Sequence, residues 1–283
     1  VRYGTVAEGP DRIPVAVDER GVTAIADLVP GFTGDLMDVI AAGLRPEIER
    51  AAATASAALF RPEAEVVPVA PYLHPRKLWG IGLNYVDHAA DLSEQAPDEP
   101  ASFIKGDHTV IGPGEPIPIP SQSGRTTAEA EVGLVIGREC RDVDEVEALD
   151  YVFGLVPILD QTAEDILQRN PRFLTRSKNF PGFFSFGPWI VPLDEVSAGP
   201  DLGSLRVETV LNGAVHRANT VDRMMHAPRR LVSFHSRVMP FFPGDIISTG
   251  TPGAAVIAPG DVAECRIEGF APLRNPVVAG GAR

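Results

Sequence analysis

The sequence predicts an α+β protein, mostly β, in which a small N-terminal α/β unit leads into a larger barrel or roll. Three observations carry that prediction. Glycine and proline number 27 each in 283 residues, and helix interiors tolerate neither well. From residue 77 onward the chain runs as short apolar stretches broken by Gly and Pro, the pattern of strands separated by turns. Hydrophobic residues make up 44% of the chain, which supplies a core and excludes a disordered polymer.

Residues 1–72 form the leading unit. Strand-like runs at 12–18 and 22–28 precede helices at 35–42 and 46–59, with Pro46 in a first helical turn, where its fixed φ and missing N–H do no harm. Pro62, Pro68, Pro71 and Pro75 make 61–75 an extended connector, so the boundary falls near Tyr72 and residues 73–283 form the second domain. There, strands are predicted at 77–82, 102–105, 129–136, 152–160, 187–191, 205–211, 246–249 and 261–267. Asn212 and Gly213 both accept positive φ and mark a hairpin between two runs. One longer helix, 228–238, places Leu231, Val232, Phe234, His235 and Val238 at helical spacing.

Charge and composition narrow the function. With 38 acidic against 25 basic residues the formal charge is −13, which opposes binding to nucleic acid or to an anionic membrane surface. No apolar run reaches the ~18 residues that span a bilayer, and the first ten residues lack the pattern of a secretory signal. A cytoplasmic location is therefore expected, with Cys140 and Cys265 as reduced, buried thiols. No G-x-S-x-G marks a serine hydrolase, and Gly80-Ile-Gly82 lacks the third glycine of a dinucleotide-binding loop.

The informative segment is 127–137. In a strand, Ala130, Val132, Leu134 and Ile136 share a core-facing side, while Glu129 and Glu131 share the other with Cα atoms roughly 6–7 Å apart. Two carboxylates so placed repel each other unless a cation intervenes. A second, almost wholly apolar run, 152–159, ends in Asp160. Three oxygen donors suit Mg²⁺ or Mn²⁺ and would also accept Ca²⁺, whereas zinc prefers nitrogen and sulfur. Such a site retains one net negative charge, for which Lys178 is the candidate counter-cation. Further on, His88 and Asp91 stand at i, i+3, a spacing that sets a carboxylate beside an imidazole on one helix face, the arrangement of a general base. In 242–253, Gly250 permits close backbone approach to a ligand, and Thr249 and Thr251 offer hydroxyls.

In this order, the stretches 80–91, 103–119, 129–137, 154–165, 178–191, 212–220 and 243–252 resemble the fumarylacetoacetate hydrolase family, and they cover nearly all of residues 77–255. The resemblance implies a mixed β-roll, usually a homodimer, with Mg²⁺ or Mn²⁺ held by Glu129, Glu131 and Asp160. It implies that Lys178 lies near a metal-bound small-molecule substrate, with Asn84, Tyr85, Glu164, Thr249, Gly250 and Thr251 around it. It implies that His88, partnered by Asp91 or by Glu94, activates water. The implied activity is hydrolysis of a C–C bond in a β-dicarbonyl compound such as an acylpyruvate or a diketone. Alternatives within the same family are decarboxylation or tautomerisation and isomerisation through the same enolate, or a non-catalytic protein that keeps the fold.

The chain departs from the family pattern in places. His88-x-x-Asp91 replaces His-x-x-Glu. Glu164 stands where an arginine is usual, Leu167 where a glutamine is usual, and the Ser-x-Asp that follows the lysine is absent at 179–182. A glutamate at 164 would repel an anionic substrate, which favours a neutral or cationic diketone or a larger metabolite. If instead Glu164 turns away and pairs with Arg169 or Arg172, that argument lapses.

Overall fold

Residues 1–85, 98–198 and 202–280 are described by a computed structural model of the chain. Their strands are, in order, β1 (Arg2–Glu8), β2 (Asp11–Asp18), β3 (Gly21–Ala24), β4 (Val67–Val69), β5 (Leu78–Gly82), β6 (Ala101–Lys105), β7 (Val110–Ile111), β8 (Ile117–Ile119), β9 (Thr126–Ile136), β10 (Val152–Ala163), β11 (Phe184–Phe186), β12 (Trp189–Pro192), β13 (Arg206–Leu211), β14 (Ala214–Thr220), β15 (Ile246–Ser248), β16 (Ala254–Ile257), β17 (Val262–Ile267) and β18 (Leu273–Ala279). The helices are short: α1 (Ile25–Leu28), α2 (Leu36–Ala41), α3 (Arg45–Thr54), α4 (Glu164–Arg169), α5 (Leu174–Lys178) and α6 (Pro228–Ser236). None is long and apolar enough to cross a membrane.

Two sheets organise these strands. The larger runs β3-β2-β1-β12-β10-β9-β15-β5-β6, with β4, β7, β11 and β16 attached beside it, and the smaller runs β14-β13-β17-β18-β8. Parallel and antiparallel pairs mix, as in β15–β5 and β9–β10. The fold is thus α+β, mostly β, as the sequence predicts.

Every residue of β9 is buried, because both of its faces are covered. Ala128, Ala130, Val132, Leu134 and Ile136 pack with Val207, Cys265, Ile267 and Leu273 of the second sheet. The opposite face carries Val135 into a second core, shared with Val156, Ile158 and Phe186 and with Tyr3, Ile25 and Leu36 of the leading segment. Residues 1–72 therefore contribute to the larger sheet through the β1–β12 pair and share its core.

Element boundaries differ from the sequence expectation in physically instructive ways. The run 22–28 divides into β3 and α1, and the helix expected over 46–59 ends at Thr54. β1 escapes the sequence pattern because Gly4 interrupts it. That glycine has a packing role, since a Cβ there would meet the Trp189 ring at 2.4 Å. The hairpin at Asn212 (φ 52°) and Gly213 (φ 83°) joins β13 to β14 as expected. Cys140 and Cys265 are buried free thiols.

Candidate metal centre

β9 and β10 pair antiparallel with Glu129 directly opposite Asp160 and Glu131 opposite Ile158. Because side chains alternate along a strand, Glu129, Glu131 and Asp160 project from the same face. One carboxylate oxygen of each lies within 4.8 Å of the others. All three are buried, Glu131 and Asp160 with 1% exposure. The solvated strand face that would make two glutamates unremarkable is excluded.

Each carboxylate is held by neighbours. Glu129 Oε1 accepts from Thr162 Oγ1 at 2.6 Å and Thr127 Oγ1 at 3.0 Å, the next pair of residues along the same face. Glu131 Oε2 accepts from Ser248 Oγ at 2.5 Å and from the Gly250 amide at 2.8 Å. Lys178, at the end of α5, donates to Glu129 Oε2 at 2.9 Å and Asp160 Oδ2 at 2.6 Å. The sequence expectation thus places Glu129, Glu131, Asp160 and Lys178, and the fold brings all four together.

A second lysine joins them that the sequence reading did not single out. Lys105 of β6 is buried, donates to Asp160 Oδ1, and donates to the Phe183 carbonyl at 2.5 Å and the Gln161 carbonyl at 3.0 Å. Its signal was available: Lys105 is in phase with buried Phe103, while Ile104 between them is 43% exposed. A lysine on the buried parity of a strand needs a partner of opposite charge.

The electrostatics follow from burial and crowding. Burial, with Asp160 and Glu129 nearby, raises the Glu131 pKa to about 8. Burial lowers the Lys105 pKa to about 8 against the attraction of Asp160. Burial also opposes charge on Lys178, but Asp160, Glu129 and Glu131 outweigh it and hold that ammonium charged well above its ordinary range. With Glu131 protonated, two carboxylates face two lysines and the cluster balances; ionising Glu131 leaves one net negative charge in a buried space. The donor set, all carboxylate oxygen, fits a hard divalent cation, and such a cation would favour the ionised form of Glu131.

The other expected site residues are distributed around this centre. Asn84 is buried and its amide is bonded to backbone, donating to the Thr249 carbonyl at 2.8 Å and the His226 carbonyl at 3.0 Å and accepting from the His226 amide at 2.9 Å. It therefore ties the 249–251 segment to residue 226. Thr249 Oγ1 donates to the Val132 carbonyl at 2.8 Å and Thr251 Oγ1 to the Gly253 carbonyl at 3.2 Å. Gly250 acts through its amide on Glu131. Tyr85 is fully buried, its hydroxyl has no hydrogen-bond partner among the described residues, and burial followed by Glu131 raises its pKa far above the usual phenol range. Glu164 pairs with Arg125, at 2.5 Å from Nε, and accepts from Gln168 at 3.0 Å. Its partner is therefore neither Arg169, which pairs with Asp165, nor Arg172. His88, Asp91 and Glu94 lie outside the described residues, as does most of the helix expected there.

A family model of the fumarylacetoacetate hydrolase C-terminal domain matches residues 77–278, from the start of β5 to the end of β18. The chain belongs to the fumarylacetoacetate hydrolase family. An uncharacterised protein of Archaeoglobus fulgidus is 38% identical over 209 residues, covering 74% of this chain and 81% of its own. Among solved structures, a 5-carboxymethyl-2-hydroxymuconate delta-isomerase from Mycobacterium smegmatis is 30% identical, with a TM-score of 0.78 and 100% of both chains covered. A maleylpyruvate hydrolase from Sphingobium sp. SYK-6, in complex with manganese(II) and pyruvate, is 26% identical, with a TM-score of 0.82 over 99% of this chain and 100% of its own. The family thus includes both hydrolases and isomerases, on the fold that this chain shares.

Proposed function

We propose that this protein is a divalent-metal-dependent hydrolase that cleaves a C–C bond in a β-dicarbonyl compound, acylpyruvate-like or a diketone. The observation that carries the reading is the buried convergence of Glu129, Glu131 and Asp160 beside Lys178. Those three carboxylates would hold Mg²⁺ or Mn²⁺. When bound, the cation supplies Lewis acidity toward the dicarbonyl oxygens. Ser248 and the Gly250 amide fix the Glu131 carboxylate, and Thr127 and Thr162 fix that of Glu129. Lys178, held charged, places a positive group where negative charge develops on a substrate oxygen. His88, oriented by Asp91 or Glu94, takes the proton from the attacking water. The protein is further read as a cytoplasmic homodimer acting on a small molecule. Because Glu164 is neutralised by Arg125, the charge argument against anionic substrates no longer applies.

The second reading is isomerisation or decarboxylation at the same centre, of which the full-length likeness to the muconate delta-isomerase favours isomerisation. A metal-replete screen of acylpyruvates, oxaloacetate and cyclic 1,3-diketones, with products identified, tests both. Two cleavage fragments from an open-chain substrate, or one ring-opened product heavier by one water from a cyclic diketone, support hydrolysis. Release of CO₂, or a product of unchanged mass, supports the second reading, and no turnover of any of them with Mg²⁺ or Mn²⁺ overturns the proposal.

A further inference from the structure

β9 carries Glu129 and Glu131 across a break in the large sheet. On its edge away from β10, β16 pairs with residues 126–129, with Ala254 opposite Glu129, and β15 pairs with residues 133–135. Residues 249–253 connect those two strands, so at 130–132 the edge of β9 faces a loop instead of a strand. Val132 is served from that loop, its carbonyl accepting from the Thr249 amide at 3.1 Å and from Thr249 Oγ1 at 2.8 Å. Ala130 is served from elsewhere. Its amide, which belongs to the peptide bond leaving Glu129, donates to Thr209 Oγ1 at 3.2 Å, a hydroxyl that β13 sends across from the smaller sheet.

Thr209 is buried and shares the inward face of β13 with Val207, two residues before it. The β13–β14 register shifts directly after it, between Thr209 and Val210, and irregularities of this kind re-aim the side chains beside them. Its hydroxyl proton goes to the Gly253 carbonyl at 2.8 Å, and Thr251 Oγ1 lies 3.5 Å away. One side chain thus joins the peptide after Glu129 to the loop whose Gly250 amide holds Glu131. Without that oxygen, the Ala130 amide would stand in a fully buried residue with no acceptor. An unpaired buried amide is costly. The backbone can relieve it only by shifting between the two glutamates.

We infer that Thr209 is a positioning residue of the acidic centre. Its hydroxyl holds the peptide after Glu129 and the 249–253 loop in one arrangement, and so sets the spacing at which the carboxylates receive a divalent cation. Thr209 acts through the backbone of β9 and is not itself a ligand. The inference rests on the reading of the acidic centre as the metal site, and the test separates the two.

The experiment is Mn²⁺ titration of the whole protein, followed by the paramagnetic signal of the free ion, in the parent, Thr209→Val, Thr209→Ala and Thr209→Ser. Thr5→Val is the control. Thr5 Oγ1 donates to the Pro71 carbonyl at 2.6 Å in a buried part of β1, so its loss removes a comparable bond away from β9 and β13. Thermal unfolding of every variant runs beside the titration. Mn²⁺ affinity is expected to fall about tenfold in Thr209→Val and Thr209→Ala, the low end for groups that orient ligands, and to stay within about twofold in Thr209→Ser. Thr5→Val should keep the parent affinity while its unfolding midpoint drops. Alanine and serine differ by the hydroxyl alone, so that pair decides the matter if Thr209→Val does not fold. Parent-like Mn²⁺ affinity without the hydroxyl, or an equal loss in Thr209→Ser or Thr5→Val, overturns the inference alone and leaves Thr209 a support of the fold. No saturable Mn²⁺ binding by the parent overturns the metal-site reading and this inference with it.

Discussion

Gly80 and Phe103 are direct cross-strand partners on β5 and β6, and a Cβ at Gly80 would lie 2.2 Å from the Phe103 ring. The same ring carries the Lys178 ammonium 4.6 Å from its centroid. A glycine at 80 is what allows an aromatic face to sit beneath the lysine that joins Glu129 to Asp160. Cation–π support of a buried ammonium is worth up to about 2 kcal/mol, and here it adds to two charge-assisted hydrogen bonds.

Gly80→Ala is therefore expected to displace Phe103 and to unsettle Lys178. Overpacking of this kind costs about 1–3 kcal/mol, visible as a lower midpoint in thermal or denaturant unfolding. Mn²⁺ affinity should change little, because no carboxylate ligand is touched, while turnover falls. A variant with the stability and turnover of the parent would show that the ring has room to move and that its contact with Lys178 is incidental.

Removing one donor from the centre gives a sharper test of metal binding. Glu131→Gln keeps the shape of the side chain and its contacts with Ser248 and Gly250 in outline, but removes the charge. Mn²⁺ affinity, followed by the paramagnetic signal of the free ion, should fall at least as far as the ~10–100-fold typical of losing a partner one shell further out. Chelation should abolish turnover of the parent protein, and Mg²⁺ or Mn²⁺ should restore it. Full turnover in a sample verified as metal-free would exclude the proposed role of the carboxylates.

How much of this centre is legible in the sequence follows from periodicity. Glu129 and Glu131 could be assigned to one face because strand side chains alternate, and the apolar run ending in Asp160 marks a buried strand with a carboxylate at its emerging end. That Asp160 stands opposite Glu129 is a matter of register between two strands, and no local pattern encodes it. Lys105 and Arg125 were missed for the same reason. Each is explained by a partner from another strand or helix, Asp160 and Glu164 respectively, and a lysine or arginine considered alone reads as solvent-facing. Asn84 shows what local sequence leaves out. The family resemblance implies a place for it near the substrate, and the fold adds that its amide is bonded to the backbone of residues 226 and 249, partners far away in sequence. In the fold, β1 was hidden by Gly4, a glycine required by Trp189 across the β1–β12 pair.

His88 offers a test that separates the two readings of the reaction. If it accepts the proton of water, His88→Ala should lower hydrolytic kcat by roughly 10²–10⁴-fold, the usual contribution of a general base. Mn²⁺ affinity should be retained, since the proposed ligands are Glu129, Glu131 and Asp160. Decarboxylation or isomerisation, which needs no attacking water, should suffer less. Asp91→Asn and Glu94→Gln, compared side by side, identify the partner as the variant whose loss approaches that of His88→Ala. Hydrolysis undiminished in His88→Ala would remove the water-activation step from the proposal.

The last prediction concerns acid stability and a histidine remote from the carboxylates. His235 of α6 is 1% exposed, its ring lies 5.1 Å from that of Trp79, and among the described residues neither ring nitrogen has a hydrogen-bond partner. Burial, assisted by His226, lowers its pKa from 6.5 to about 4. Between those two values the unfolded chain holds a proton on this imidazole that the folded chain does not. Stability associated with His235 is therefore complete above pH 6.5 and is lost as the pH falls through 4, by roughly 3 kcal/mol in all. His235→Phe keeps a flat ring against Trp79 and removes the titrating group. Carboxylates protonate over part of the same range in both proteins, so the difference between parent and variant isolates the histidine. Urea unfolding at pH 7.5 should show the two within about 1 kcal/mol of each other, and at pH 4 the variant should be the more stable. Parallel losses in parent and variant from pH 7.5 to 4 would mean that His235 takes up its proton in the folded state, and that α6 opens to water before the core does.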